Sequence, residues 1–215
     1  PLFLFYFLKL WGWLIFIWPV MWMTHLTYVS LQINKDRAKW EHILLAIDVP
    51  KDNETGPKAV ENIFAHLAGA HASADVQEIH LQGITQKWFS FEIISIEGYV
   101  QFIIWTEKSF RNLIEAAIYA QYPDAEINEV EDYTKDVPSQ FPSDDWDVWG
   151  ADFKLTMPYH YPIRSYEEYE DGLAGVFYDP MTALVETMSR MGPGEQLWLQ
   201  ILIKPIGVGW KAKGY

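Results

Sequence analysis

Residues 87–106 have the sequence KWFSFEIISIEGYVQFIIWT, in which two runs of aromatic and β-branched residues are separated by Glu97-Gly98. Such runs are typical of strands that pack against a core. A two-residue connection that contains Gly has the length and the chemistry of a tight hairpin turn. The stretch therefore predicts two antiparallel strands, Lys87–Ile96 and Tyr99–Thr106.

Strand and helix patterns continue on both sides of this hairpin. On the N-terminal side, Ile43–Val49 predicts a buried strand, and Pro57 suits the first position of a helix. On the C-terminal side, Ser109 suits the cap of a second helix, and Ala125–Tyr133 alternates as a strand does. The order β-α-β-β-α-β predicts a ferredoxin-like domain over residues 40–133, with a four-stranded antiparallel sheet and both helices on one face.

A second, shorter cycle follows a stretch rich in Asp, Pro and Ser at residues 134–147, which we predict to be a linker. Val148–Thr156 alternates as a strand, Asp179-Pro180 favours a helix start, and Gln196–Ile206 predicts a long strand. We expect residues 148–215 to form a second, partial ferredoxin-like βαβ unit. Two alternatives stay open for its missing half: the unit borrows elements from the first domain, or the polypeptide continues.

The N-terminal region contains a stretch without any charged residue, Leu10–Asn34. As a helix it would extend roughly 35 Å, enough to cross the ~30 Å hydrocarbon core of a bilayer. A signal peptide has a shorter apolar region, and a buried helix seldom stays apolar on every face. We therefore expect an α+β protein whose residues 1–39 are a transmembrane anchor in contact with lipid. The anchor residues are Trp11, Trp13, Trp18, Pro19, Trp22, Lys35, Arg37 and Lys39.

The charges on either side of this stretch predict its orientation. Lys35, Arg37 and Lys39 follow it, whereas only Lys9 precedes it. Since positive charge favours the cytoplasmic side, we expect a single-pass protein of the inner (cytoplasmic) membrane with its domains in the cytoplasm. The sequence does not begin with Met, and residues upstream would modify this topology.

The composition argues against several functional classes. The formal net charge is −13, and since Lys9 is the only charged residue among the first 34, the remainder carries −14. So acidic a domain repels phosphate backbones, and we expect no direct nucleic-acid binding. The sequence contains no Cys, which excludes disulfides and thiol chemistry.

The sequence also offers no catalytic or cofactor-binding pattern. No Gly is followed by Lys and no G-x-G-x-x-G occurs, so both common phosphate-binding loops are absent. A zinc site built from His66 and His71 is the alternative to scattered surface histidines, and the latter is the expectation. Acidic clusters at residues 144–147 and 167–171 lack the spacing of a calcium loop and are expected to be solvated. We expect no enzymatic activity, no cofactor and no metal within these residues.

A polar stretch rich in tyrosine is the candidate for contacts between subunits. Aromatic residues in such a setting favour burial against a neighbouring protomer, and packing within the domain is the alternative. The candidate oligomer contacts are Tyr159, Tyr161, Tyr166 and Tyr169.

Three stretches resemble a known family: Leu44–Glu54 (LLAIDVPKDNE), Ser90–Ile93 (SFEI) and above all Ala120–Tyr133 (AQYPDAEINEVEDY). They resemble the membrane-proximal N-terminal region of FtsK/HerA-class ATPases, which is similar to coupling proteins of conjugative type IV secretion and is a domain of unknown function in bacteria of reduced genome. The resemblance covers roughly Trp40–Trp210. Its most specific part comprises Gln121, Tyr122, Pro123, Asp124 and Glu126.

The resemblance implies a module placed ahead of a ring-forming, DNA-translocating motor, without catalytic residues of its own. The leading hypothesis is thus a non-catalytic, membrane-anchored assembly module that positions and oligomerises a cytoplasmic ATPase as a homo-oligomeric ring. The chain carries no Walker motif, so two arrangements stay open: it continues past Tyr215 into the ATPase, or the module stands alone. The alternative functions are a structural subunit of a membrane complex, and a sensor that binds a small ligand between its two units.

Overall fold

A computed structural model describes residues 9, 11–12, 14–50, 56–72, 74–75, 77–138, 140–143, 146–157, 166–171, 176–177 and 179–207. The chain divides into two compact units. One comprises residues 1–41 and 71–87, and the other comprises residues 42–70 and 88–215. The acidic cluster at Asp144-Asp145 lies outside the described residues.

The first unit is built on a helix and a short turn of π-helix. Helix α1 spans Leu14–Arg37, and the π-turn spans Glu78–Gln82. Gly83 follows the π-turn at φ +74°, and a Cβ placed there would lie 2.3 Å from the backbone of Gln32. The close approach of the two segments therefore requires glycine at this position.

The second unit contains a sheet with helices packed on one face. Its elements are β1 (His42–Asp48), α2 (Lys58–Ala68), β2 (Phe89–Ile96), β3 (Tyr99–Glu107), α3 (Arg111–Tyr119), β4 (Glu126–Val130), β5 (Glu170–Asp171), β6 (Val176–Phe177), α4 (Thr182–Met188) and β7 (Gln196–Ile203). Five of its strands form one antiparallel sheet in the order β4-β1-β3-β2-β7, and β5 pairs with β6 separately. The α+β class and the predicted order β-α-β-β-α-β from β1 to β4 are both present.

The main core lies between the sheet and the two helices α2 and α3. Leu45, Phe89 and Ile114 are its most buried members, and they come from β1, β2 and α3. Burying such side chains is the dominant stabilising term in folding, worth about 1.5–3 kcal/mol for each large apolar residue. The other buried members are Ile43, Ile63, Leu67, Ile104, Ala117, Ile118 and Ala125.

The predicted hairpin is confirmed, together with its turn. Glu97 and Gly98 both have positive φ, at 53° and 87°, which is the geometry of a type I′ turn. The turn also contacts the segment before β7, since the Glu97 N–H donates to the Glu195 carbonyl at 3.0 Å. A Cβ on Gly98 would lie 2.8 Å from the carbonyl oxygen of Ser189.

The expected second ferredoxin-like unit does not form a sheet of its own, which agrees with the alternative that it shares elements with the first domain. Its helix is present as α4, which begins at Thr182 with Met181 at the N-cap position. Asp179 lies in the turn just before the helix, where it accepts a hydrogen bond from the Met181 N–H at 2.9 Å. Its long strand is present as β7, but this strand pairs with β2 of the first domain along all eight residues. If β2 were an edge strand, its outer backbone N–H and C=O groups would lack partners in the sheet, and β7 provides those partners.

The prediction of a first strand in that unit is also wrong. Val148–Thr156 is described without helix or strand, and every residue in it is exposed. Its side chains alternate between apolar and polar as those of a strand do, but a strand also needs a neighbouring strand that pairs with its backbone N–H and C=O groups. No described strand provides that neighbour.

The expected transmembrane helix is wrong as well. Among the described residues, no helix combines the length with the apolar character that a membrane crossing demands. The C-terminal half of α1 is too polar for a membrane span, because polar side chains interrupt its apolar sequence and three charged residues lie at its end. The predicted single-pass placement in the inner membrane depended on this helix and is wrong for the same reason. The interrupting residues are Thr24, His25, Thr27, Ser30, Gln32 and Asn34, and the charged ones are Lys35, Asp36 and Arg37.

We predict that Gly98→Ala destabilises the second unit by about 1–2 kcal/mol. Alanine is strained in the left-handed backbone conformation, and its Cβ would clash with the Ser189 carbonyl oxygen. Gly150→Ala is the matched control, since nothing lies within 4 Å of a Cβ at Gly150. Urea unfolding of both variants measures the difference. Equal free energies of unfolding for the two variants would contradict this account of the turn.

Candidate functional site

The motif that carries the family resemblance forms the loop between α3 and β4. Tyr122 packs against the main core, and burial raises the pKa of its phenol above the ordinary value. Its N–H donates to the Ile118 carbonyl at 2.7 Å, and its own carbonyl accepts from the Ala125 N–H at 3.1 Å. The Asn62 amide on α2 donates to the side chain of Gln121 at 3.2 Å. Pro123, Asp124 and Glu126 are exposed.

These contacts give the motif a structural role. The loop ends α3, turns the chain and begins β4, while Gln121 joins it to α2. The hydrogen bonds described here are made within the fold, and burial is the cause of the raised Tyr122 pKa.

The predicted anchor residues lie along and just beyond α1. Trp18 is 73% exposed, and Pro19 lies inside the helix. Lys35 and Arg37 occupy the last turn, where positive charge interacts favourably with the helix dipole. Trp11, Trp22 and Lys39 are exposed, and Trp13 lies outside the described residues.

The tyrosines predicted to contact another subunit are described only in part. Tyr159 and Tyr161 lie outside the described residues. Tyr166 and Tyr169 begin and end a short 3-10 turn, and Tyr169 is half-buried. Their role as oligomer contacts stays a prediction.

Two of the described histidines contact each other, and no described histidine belongs to a possible metal centre. His25 Nε2 and His80 Nδ1 lie 3.1 Å apart with stacked rings, and His71 Nδ1 lies 3.2 Å from the Gln86 side chain. His66 is exposed at the end of α2. The described residues contain no group of three or more His, Cys, Asp or Glu side chains placed to hold a metal ion.

A polar cluster that the sequence did not reveal lies on the sheet face opposite α2 and α3. Tyr133 donates its hydroxyl to Glu92 Oε2 at 2.6 Å. The Gln200 side-chain amide donates to the Tyr133 oxygen at 2.7 Å and lies 3.4 Å from Glu92 Oε1. Glu92 and Gln200 are direct neighbours across the β2–β7 pair, which explains why they meet.

Tyr133 is held firmly in this cluster. It is 7% exposed and stands edge-on to the Trp198 ring, with 4.8 Å between ring centroids. Burial raises the pKa of the Tyr133 phenol well above its ordinary value, and the hydrogen bond to Glu92 raises it further. The phenol therefore remains a neutral donor to Glu92 across the physiological pH range.

The cluster forms one side of a cavity of about 210 Å³, which we call the Glu92 cavity. Trp88 and Trp105 form its apolar wall, with stacked rings whose centroids are 6.0 Å apart. Ser90 also lines the cavity and is 5% exposed, and its Oγ has no hydrogen-bond partner among the described residues. The remaining lining residues are Leu44, Glu92, Asp132, Tyr133, Thr134, Gln200 and Leu202.

One signal in the sequence could have indicated this site. Glu92 interrupts a strand that is otherwise apolar or small, and a charged residue at such a position is usually partnered or functional. Its partners could not be found the same way, because Tyr133 and Gln200 are 41 and 108 residues away. The pairing of β7 with β2 brings Gln200 to Glu92, whereas Tyr133 reaches Glu92 from the segment after β4.

A second feature is an exposed, largely apolar segment in the same unit as a strand edge that no described strand covers. The segment Trp146–Met157 is exposed throughout, with Trp149 at 88% and Phe153 at 96%. Strand β7 pairs with β2 on one side, and no described strand pairs with its other side. Its sequence QLWLQILI contains no charge, and Leu202 is 69% exposed.

The second unit thus has an α+β fold with a five-stranded antiparallel sheet. One face of the sheet carries a polar cavity, and no described strand pairs with the outer edge of β7. The model of a family described as a domain of unknown function, DUF8128, matches residues 32–215, and the chain belongs to that family. No curated protein and no solved structure matches the chain. The family match gives no support to type IV secretion or to a coupling protein, which corrects that part of the expectation.

We predict that Tyr133→Phe lowers the free energy of unfolding by about 1–3 kcal/mol, since it leaves the buried Glu92 with only the longer contact to Gln200. Urea unfolding at neutral pH measures this loss. Tyr99→Phe is the matched control, because Tyr99 is 66% exposed, and we expect it to change the value by less than about 0.5 kcal/mol. A Tyr133→Phe variant as stable as the control would refute the structural role of the cluster.

Proposed function

We propose that this protein is a non-catalytic assembly module that associates head-to-tail with copies of itself and thereby positions an ATPase. The observation that carries the self-association is the coexistence, in one unit, of an exposed strand-like segment and a strand edge with which no described strand pairs. We infer that Val148–Thr156 of one copy pairs with β7 of the next.

The segment has the alternating side-chain pattern of a strand, but no described strand pairs with it. Trp149, Phe153 and Leu155 lie on one side of the alternation, and they are 88%, 96% and 60% exposed. Large apolar side chains clustered on a surface are typical of interaction sites. Pairing with another strand would bury them and would satisfy the backbone of the segment at the same time.

The outer edge of β7 is the favoured acceptor. It is eight residues long and uncharged, and such an edge invites pairing with another chain. The opposite edge of the sheet, β4, is shorter and carries Glu126 and Glu129, which disfavour strand addition. The difference between the edges favours one acceptor over the other.

This contact is heterologous, because the segment and the edge are different surfaces of the same chain. Heterologous contacts generate rings when the rotation between subunits closes, and filaments when it does not. The net charge of −13 makes copies repel one another, so the apolar contact has to overcome this repulsion. Salt screens the repulsion, and the association should therefore strengthen as ionic strength rises.

The ATPase part of the proposal is supported by the sequence resemblance. The stretch Ala120–Tyr133 resembles the N-terminal region of FtsK/HerA-class motors, and the chain itself lacks a phosphate-binding loop. A self-assembling module of this kind would set the number and the spacing of the motor subunits.

Complementary variants test the head-to-tail contact. We predict that Phe153→Asp and Ile201→Lys each abolish self-association, the first by charging the segment and the second by placing a lysine on the β7 edge. Ile201 is 50% exposed, so the substitution is compatible with folding. Mixing the two variants should restore one intact contact and yield a heterodimer, measured as mass by light scattering at several salt concentrations.

Leu81→Asp is the control, because Leu81 is 62% exposed and lies in the other unit. It should associate as the unmodified protein does. A protein that stays monomeric at high concentration and high salt would refute the proposal. Mixed variants that remain monomeric would show that segment and edge do not bind each other.

A further inference from the structure

We propose that the Glu92 cavity binds a small organic cation, an ammonium or guanidinium group on a short aliphatic stem. Two buried polar side chains and an apolar wall carry this inference. It rests on observations other than those behind self-association, although Gln200 and Leu202 of the lining belong to β7.

Ser90 provides an unused hydrogen-bonding group. Its side chain lines the cavity, it is 5% exposed, and its Oγ has no hydrogen-bond partner in the part of the chain that the structure describes. A buried hydroxyl in this state destabilises the fold, and unsatisfied buried groups are few in native proteins. An N–H donor of a ligand in the cavity would satisfy it.

Glu92 provides negative charge at the same place. It lies two residues after Ser90 on β2, so both side chains point to the same face of the sheet. Its described hydrogen-bond partners, Tyr133 and Gln200, are both neutral, and the described lining of the cavity contains no Lys, Arg or His. A carboxylate that is 5% exposed is costly without a cation, and a cationic ligand would compensate it.

The size and the wall of the cavity define the rest of the ligand. A volume of about 210 Å³ corresponds to roughly seven water molecules, which is below the usual range of drug-sized pockets. Trp88 and Trp105 provide apolar surface for a stem of a few methylene groups. An anion would meet Glu92 and Asp132 and would be repelled.

Titration calorimetry with the full chain tests the charge requirement. The probes are n-butylguanidinium and its neutral counterpart n-butylurea, which have similar shape and differ in charge. We expect saturable, one-to-one binding of the guanidinium, and binding of the urea weaker by about tenfold or more, since charge-assisted hydrogen bonds are the stronger ones. A blocked Gly-Arg-Gly peptide distinguishes the source of the cation: tighter binding than the free guanidinium indicates a protein side chain, and weaker binding indicates a small molecule.

Two variants place the binding in the cavity. Glu92→Gln should lower the affinity for n-butylguanidinium about tenfold or more, whereas Glu126→Gln, an exposed position on the same sheet, should leave it unchanged. Ser90→Ala should also weaken binding, yet its melting temperature without ligand should equal or exceed that of the unmodified protein, because an unsatisfied hydroxyl is removed.

The combination of these two effects at Ser90 separates a binding role from a structural one. A purely structural serine would lower the melting temperature on substitution and leave the affinity unchanged. Equal binding of guanidinium and urea, or an affinity that Glu92→Gln does not change, would overturn the proposal.

Discussion

The pairing of β7 with β2 is the constraint on which the rest of the second unit depends. Eight residues pair from Phe89↔Ile203 to Ile96↔Gln196, between segments about a hundred positions apart in the chain. Without β7, β2 would be the edge of the sheet, and Glu92 would lack the neighbour that orients Tyr133. The same strand then presents its other side as the open edge, so one pairing creates both the cavity and the proposed docking edge.

These two features use opposite physical strategies. The Glu92 cavity keeps buried polar groups that are costly for the fold, and such groups are retained where a ligand or a specific contact repays them. The exposed segment and the β7 edge keep apolar surface that is costly in water, and association removes it. Both leave a requirement unmet in the isolated chain, and each defines the chemistry of what completes it.

Local patterns in the sequence are enough to predict the order of strands and helices from β1 to β4. The hairpin turn at Glu97-Gly98 and the apolar faces of α2 and α3 depend on neighbours in sequence, which patterns describe well. The position of β7 and the Tyr133 contact depend on long-range pairing, which alternation alone does not specify. Val148–Thr156 shows the converse, since it has a strand's pattern and no described partner. The transmembrane prediction for α1 is wrong because a stretch without charge can still carry too many polar side chains to cross a membrane.

The most direct test of the central claim is a disulfide across the β2–β7 pair, which is clean because the sequence contains no other cysteine. Ile93 and Leu199 are direct partners, so an Ile93→Cys, Leu199→Cys variant should form an intrachain disulfide, detected by mass under denaturing conditions. Ile93→Cys with Ile203→Cys should form none, since four residues of strand separate Ile203 from that register. A disulfide in the second variant, or none in the first, would contradict the pairing.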